Sequence, residues 1–123
     1  MADWDLKHMH MTFINNTDFS FTLGNFGINM KEGTVDPYPP DSIGSHETVT
    51  INARSTSLVM GLEGTITYYA QGNNGRMDIY IDMPIFGGNT FTVTFYELPD
   101  LTYTAENTTG KLKSNPIVTI KHK

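Results

Sequence analysis

A chain of 123 residues carrying 8 Lys+Arg against 13 Asp+Glu, with a net charge of -5, is long enough for one core. It lacks the clustered cations that a phosphate backbone requires, which excludes nucleic acid as a partner. It contains no cysteine, which excludes disulfides, thiolate zinc sites and a cysteine nucleophile. Charged residues make up only 17%, so Thr, Asn, Ser and Gly must finish much of the surface.

The opening MADWDLKHMHMTF carries Asp3 and Asp5 and has no apolar h-region, so it does not read as a signal peptide. No apolar run reaches transmembrane length. The expectation is synthesis in the cytoplasm, with any membrane contact peripheral or following a conformational change. A first strand is predicted over His8 to Ile14, where Met9, Met11 and Phe13 share one face and His8, His10 and Thr12 the other. NNTD then reads as a turn, and Asn15 heads a glycosylation sequon, as does Asn107; both are taken as turn residues. A second strand follows over Phe19 to Leu23.

From Gly24 to Gly44 no clean period survives, and Pro37, Pro39 and Pro40 fall inside it, so this stretch reads as a long ordered loop with one short embedded strand. Strands resume over Thr48 to Ile51, Gly64 to Ala70, Arg76 to Asp82, Thr90 to Tyr96, Leu101 to Glu106 and Pro116 to Lys121. The clearest hairpin joins GTITYYA to RMDIYID through QGNNG, where Asn73, Asn74 and Gly75 tolerate positive φ. ENTTGKLKSNP is a second flexible candidate, with Lys111 and Lys113 making a small basic spot. About eight short strands and no helix of ordinary length predict an all-β, antiparallel β-sandwich forming a single domain over residues 1–123.

Candidate chemistry is sparse. His8 and His10 lie two apart on one strand face and could chelate a metal with Asp3, Asp5 or His46, but no third ligand is indicated, and solvent-facing strand residues are the simpler reading. No metal site or cofactor is therefore assigned. Glu63 and Asp82 could form a carboxylate pair, yet their places at strand ends fit turn hydrogen bonding equally, and no nucleophile elbow is present, so no catalytic residue is assigned. Gly61 and Gly64 flank Glu63, which suggests positive φ or close backbone approach, with Glu63 capping nearby amides.

The stretch DMPIFGGNTF, Asp82 to Phe91, places apolar side chains in a bend between two strands. Asp82, Pro84, Gly87 and Asn89 read as its scaffold, with Asp and Asn bonding nearby amides and Pro and Gly setting the dihedrals. Phe86 can dock into the core or present an apolar tip to lipid. Tyr80 and Phe91 can serve either face of the sandwich, and Trp4 and Tyr38 are equally uncommitted.

LVMGLEGTITYYAQGNNGRMDIYIDMPIFGGNTFTV resembles the aegerolysin family, and most closely its bacterial insecticidal branch of small binary-toxin components. The matching pieces are Gly61, Glu63-Gly64-Thr65, Tyr68-Tyr69, Asp82-x-Pro84, Gly87, Asn89 and Phe91. INNTDFSFTL is similar to that family's first hairpin, and DPYPP falls where its members carry a variable Pro-rich segment. The resemblance implies a β-sandwich without enzymatic activity that binds target-cell membrane lipid and assists a larger pore-forming protein partner. It also implies storage in inclusions or release, followed by action at the target membrane. The fungal branch uses tryptophans near the Asp-x-Pro bend, where this chain has Met83, Ile85 and Phe86, a departure that points away from a sphingomyelin-and-cholesterol specificity. On this reading Phe86, Ile85 and Tyr80 meet lipid, with Tyr38 and Trp4 assisting, and apolar insertion outweighs attraction to anionic lipid. The alternatives are a soluble lectin-like sandwich that binds a glycan or protein, and a self-associating homo-oligomer that pairs its edge strands.

Overall fold

The computed structural model describes residues 7–57 and 59–123. Trp4, Asp3 and Asp5 lie outside the described residues. Among the described residues eleven strands form two facing sheets: β1 Lys7–Asn16, β2 Phe21–Glu32, β3 Thr34–Val35, β4 Ser42–Ile43, β5 Thr48–Ser55, β6 Leu62–Ala70, β7 Arg76–Met83, β8 Thr90–Tyr96, β9 Leu101–Glu106, β10 Lys113–Ser114 and β11 Ile117–His122. One sheet runs β3-β5-β1-β11-β9, with β10 also on β1, and the other runs β4-β2-β6-β7-β8. Most pairings are antiparallel, but β1 lies parallel to β10 and β11, so the sandwich is mixed.

Period-two alternation decides which side chains fill the space between the sheets. Met9, Met11 and Phe13 of β1 and Val118 and Ile120 of β11 are fully buried, facing Ile66, Tyr68, Met77, Ile79, Ile81 and Met83 of β6 and β7. The intervening residues Glu63, Thr65, Thr67, Asp78, Tyr80 and Asp82 therefore share the outer face of the second sheet. Tyr68 is the one core residue with a polar end, and its hydroxyl donates to the Pro40 carbonyl at 2.7 Å, pinning the Pro-rich loop to the core. Burial beside Asp41 and Tyr38 raises the Tyr68 pKa well above the ordinary phenol range.

The largest departure from expectation lies between Gly24 and Gly44. There β2 continues to Glu32, and two further short strands, β3 and β4, edge the two sheets. The period is lost because β2 bulges: Leu23 pairs with Tyr68 and Ile28 with Ile66, so residues 24–27 stand opposite Thr67 alone. In the β6–β7 hairpin the positive φ falls on Gly72, at 70°, rather than on Asn73, Asn74 or Gly75. Asn73 Oδ1 accepts instead from the Gly75 amide at 2.9 Å, and a side chain at Gly75 would overlap Leu98. Within ENTTGKLKSNP, Lys113 and Ser114 pair with His8 and Met9.

Candidate lipid-facing site

Three connections meet at the end of the sandwich where β1 begins and β5 and β7 finish: residues 56–61, 84–89 and 107–112. The middle one is tied to both neighbours. A Cβ at Gly61 would overlap the Met83 carbonyl and lie 3.1 Å from Pro84 Cα, so only glycine lets these two backbones pack. On the other side Asn89 Nδ2 donates to the carbonyls of Thr108 at 3.1 Å and Gly110 at 2.9 Å. The third loop is held to β1 by Lys7 Nζ, which donates to the Lys111 carbonyl at 2.7 Å, and by the His8 amide, which donates to the Leu112 carbonyl at 2.8 Å.

These ties position a set of uncovered apolar side chains. Phe86 is 88% exposed, Val59 78%, Leu112 64%, and Met60 and Ile85 about 40%. A Cβ added to Gly87 or Gly88 would meet nothing within 4 Å, and Gly87 takes φ 93°, as a bend leaving β7 requires. At the opposite end Gln71–Gly75 and the segment Gly44–Glu47 carry no large apolar residue, and the apolar residues of the other two connections, Phe19 and Leu98, are half-buried and buried. There the fully buried Asn15 donates to the carbonyls of Phe19 at 2.8 Å and Gly44 at 2.9 Å, while Thr17 Oγ1 donates to Asn15 Oδ1, which makes this sequon asparagine a structural pin. Among the described residues, exposed hydrophobic loops thus concentrate at the end where β1 begins.

The residues expected to meet lipid divide among three places. Phe86 and Ile85 stand at the loop end. Tyr80 sits half-buried on the outer sheet face, where its hydroxyl donates to Glu63 Oε2 at 2.7 Å. That hydrogen bond, reinforced by desolvation and by the charges of Asp82 and Glu63, pushes the Tyr80 pKa up to about 12. Tyr38, 69% exposed, instead lines a groove along the flank of β2 with Phe26, Ile28 and Met30. Trp4 falls outside the described residues. Val59, Met60 and Leu112 were not singled out from sequence. Val59 and Met60 precede Gly61 in an apolar run that looks no different from core, and Leu112 is a single Leu between lysines.

Of the two readings offered for the scaffold glycines, close backbone approach is the one found, while Glu63 and Asn89 work differently from expectation. Gly64, like Gly61, is required by close approach and not by positive φ: a Cβ there would lie 2.8 Å from the Asn29 carbonyl oxygen and would overlap the Met30 sulfur. Glu63 accepts from Tyr80, and the Gly61 amide is instead satisfied by Glu32 Oε1 at 3.2 Å. Asn89 fastens its loop to a neighbouring loop and not to its own turn. Glu32, Glu63 and Asp82 lie side by side across β2, β6 and β7. Desolvation first, then the charges of Glu63 and Glu32, raises the Asp82 pKa, against a smaller opposing effect of Lys31. His8 and His10 both bond Asn52 Oδ1, at 3.1 and 2.7 Å, and His46 faces Asp18 at 3.5 Å. Among the described residues no group of three or more His, Asp or Glu stands together as a metal site.

No family model and no curated protein sequence matches the chain. Two crystal structures share its fold over nearly its whole length. IP-1A from Alcaligenes faecalis superposes with a TM-score of 0.68 at 18% identity, covering 96% of this chain and 92% of that one. The lipid binding protein Nakanori superposes with a TM-score of 0.79 at 10% identity, covering 94% of this chain and 71% of that one.

Proposed function

We propose that this chain is a non-enzymatic membrane-binding toxin component whose loop end, formed by Val59, Met60, Ile85, Phe86 and Leu112, docks on target-cell lipid. The observation that carries this reading is the gathering of five exposed apolar side chains, on three interlocked loops, at one end of the sandwich. Insertion of these side chains removes apolar area from water, at about 25 cal/mol per Å². Lys111 and Lys113 flank Leu112 and can reach lipid phosphates while the apolar tip enters the acyl boundary. The fold shared with a lipid binding protein supports the same reading, as does the resemblance of the Gly61 to Phe91 stretch to aegerolysins.

On this reading the docked domain recruits a larger pore-forming partner, as the aegerolysin resemblance implies. Sedimentation with vesicles spanning sphingolipid, sterol and insect-lipid mixtures tests the lipid step. Binding to at least one mixture, reduced by substitutions at Phe86 and Val59, is expected. Absence of binding to every mixture overturns the reading. Pull-down on the bound vesicles with a co-encoded larger toxin tests the recruitment step separately.

A further inference from the structure

The outer face of the second sheet holds a concavity whose chemistry differs from the loop end. The four-residue bulge of β2 leans over β6 and β7 and forms one wall. It can press close only because of its glycines: a Cβ at Gly24 would lie 2.8 Å from Tyr69 Cε2, and one at Gly27 would lie 2.6 Å from the Thr67 carbonyl oxygen. The resulting groove of about 540 Å³ is bounded by Asn25, Phe26, Asn29, Tyr69, Arg76 and Asp78, among others. Phe26, at the crest of the bulge, is 97% exposed, and Tyr69 is 48% exposed.

The floor is ordered by polar contacts. Thr67 Oγ1 donates to Asp78 Oδ1 at 2.8 Å, and Arg76 Nε lies 3.4 Å from the same oxygen. The Arg76 guanidinium also stacks 4.1 Å from the centroid of the Tyr96 ring. Both contacts of Asp78 among the described residues fall on Oδ1, so Oδ2 remains an acceptor. Arg76 and Asp78 offset each other's charge, so the floor offers directed hydrogen bonds without a net attraction for an anion.

We propose that this groove binds a hexose unit of a neutral glycan. The apolar C–H face of a pyranose ring covers an exposed aromatic such as Phe26, which is 97% exposed, or the open half of Tyr69. Its hydroxyls both donate and accept, matching Asp78 Oδ2, the Asn25 and Asn29 amides and the Arg76 N–H groups. A phosphate or sialate would need a surplus cation here, and the nearby outer face adds Glu63 and Asp82 instead. The groove is also placed to work with the loop end without overlapping it. Asp78 to Met83 spans roughly 17 Å of strand, so sugars displayed above a bilayer reach the groove while Phe86 touches lipid.

Titration of the full chain with methyl glucoside, methyl galactoside, methyl mannoside and N-acetylglucosamine, followed by amide chemical shifts, tests the assignment. Saturable millimolar shifts confined to residues 24–29, Thr67, Tyr69, Arg76 and Asp78 are expected with at least one sugar. Phe26→Ala should weaken that binding about tenfold, Asp78→Asn should weaken it also, and Phe86→Ala should leave it unchanged. No shift with any of the sugars, shifts located elsewhere, or undiminished affinity in both groove variants overturns the proposal. Vesicles doped with a neutral glycolipid identify the source: a gain in binding that Phe26→Ala abolishes points to a membrane glycan, and free-sugar binding without that gain points to a soluble or protein-borne one. Because Phe86→Ala affects only lipid docking, failure of the groove and failure of the loop end are read separately.

Discussion

Replacing Phe86 by Ala removes the most exposed side chain of the loop end while touching little of the fold. The ring is 88% exposed, so little packing is lost with it. The expected change in folding stability is under about 0.5 kcal/mol, within a few degrees of melting temperature. On a bilayer the same ring is buried, and full burial of a Phe side chain is worth about 1.5–3 kcal/mol. A loss of about 2 kcal/mol corresponds to an about thirtyfold lower partition coefficient. The assay is vesicle co-sedimentation across lipid concentrations, run beside thermal unfolding of the same preparations. Phe26→Ala is the matched control, because Phe26 is 97% exposed but lies on the β2 bulge away from the loop end, and should leave partitioning into glycan-free vesicles unchanged. Partitioning of Phe86→Ala within about threefold of the parent refutes the docking argument. So does an equal loss in Phe26→Ala, which would mean that any exposed aromatic suffices.

Gly61→Ala should destabilise the fold by about 1–3 kcal/mol, measured by denaturant titration, because the new methyl meets backbone atoms of Met83 and Pro84 that cannot rotate away. Tyr80→Phe should cost about 1 kcal/mol through the lost bond to Glu63, and a double-mutant cycle with Glu63→Ala should show the two losses to be non-additive. Asp82 has a raised pKa when folded and an ordinary one of about 3.9 when unfolded, so the folded state holds its proton more tightly. Its contribution to stability is therefore full below about 3.9 and is lost as pH rises through the raised folded value. Asp82→Asn should flatten the stability profile over that window and raise the denaturant midpoint at neutral pH; an unchanged profile would refute the raised pKa that desolvation and the neighbouring carboxylates give Asp82.

Strands with uninterrupted alternation were legible from the sequence because burial of one face writes a period of two. The Met9, Met11 and Phe13 face of β1 and the Met77, Ile79 and Ile81 face of β7 are examples. The second half of β2 was not legible, since a four-residue bulge resets the period and its glycines resemble loop residues. Those glycines answer to neighbours contributed by β6, and no local pattern announces Tyr69 or the Thr67 carbonyl beside them. Phe86 was visible as an apolar residue in a bend, but whether it faced core or solvent depended on the path of the chain after Pro84. Val59, Met60 and Leu112 joined it only through tertiary packing, because residues 56–61 and 107–112 are distant in sequence and meet the same loop through Gly61 and Asn89. Likewise Glu63 was seen as a cap, but its partner Tyr80 is set by cross-strand register.

The ties between the loops bear on how so few apolar residues could hold a domain of net charge -5 at a membrane. A loop that must be ordered on binding gives back backbone and side-chain entropy, roughly 1–2 kcal/mol per residue for the backbone alone, which would offset much of the gain from one inserted side chain. Here that entropy is already spent in folding. Gly61 lets one loop lie against Pro84, Asn89 bonds the next, and Lys7 holds the third, so the exposed side chains stand on a frame fixed by the sandwich. The frame residues are buried or bonded and answer to the fold, whereas Val59, Phe86 and Leu112 touch mainly solvent. Substitution at the second set can therefore retune which surface is bound without disturbing the first, and the same division separates the loop end from the β2 bulge, whose glycines fix its shape and leave Phe26 uncovered.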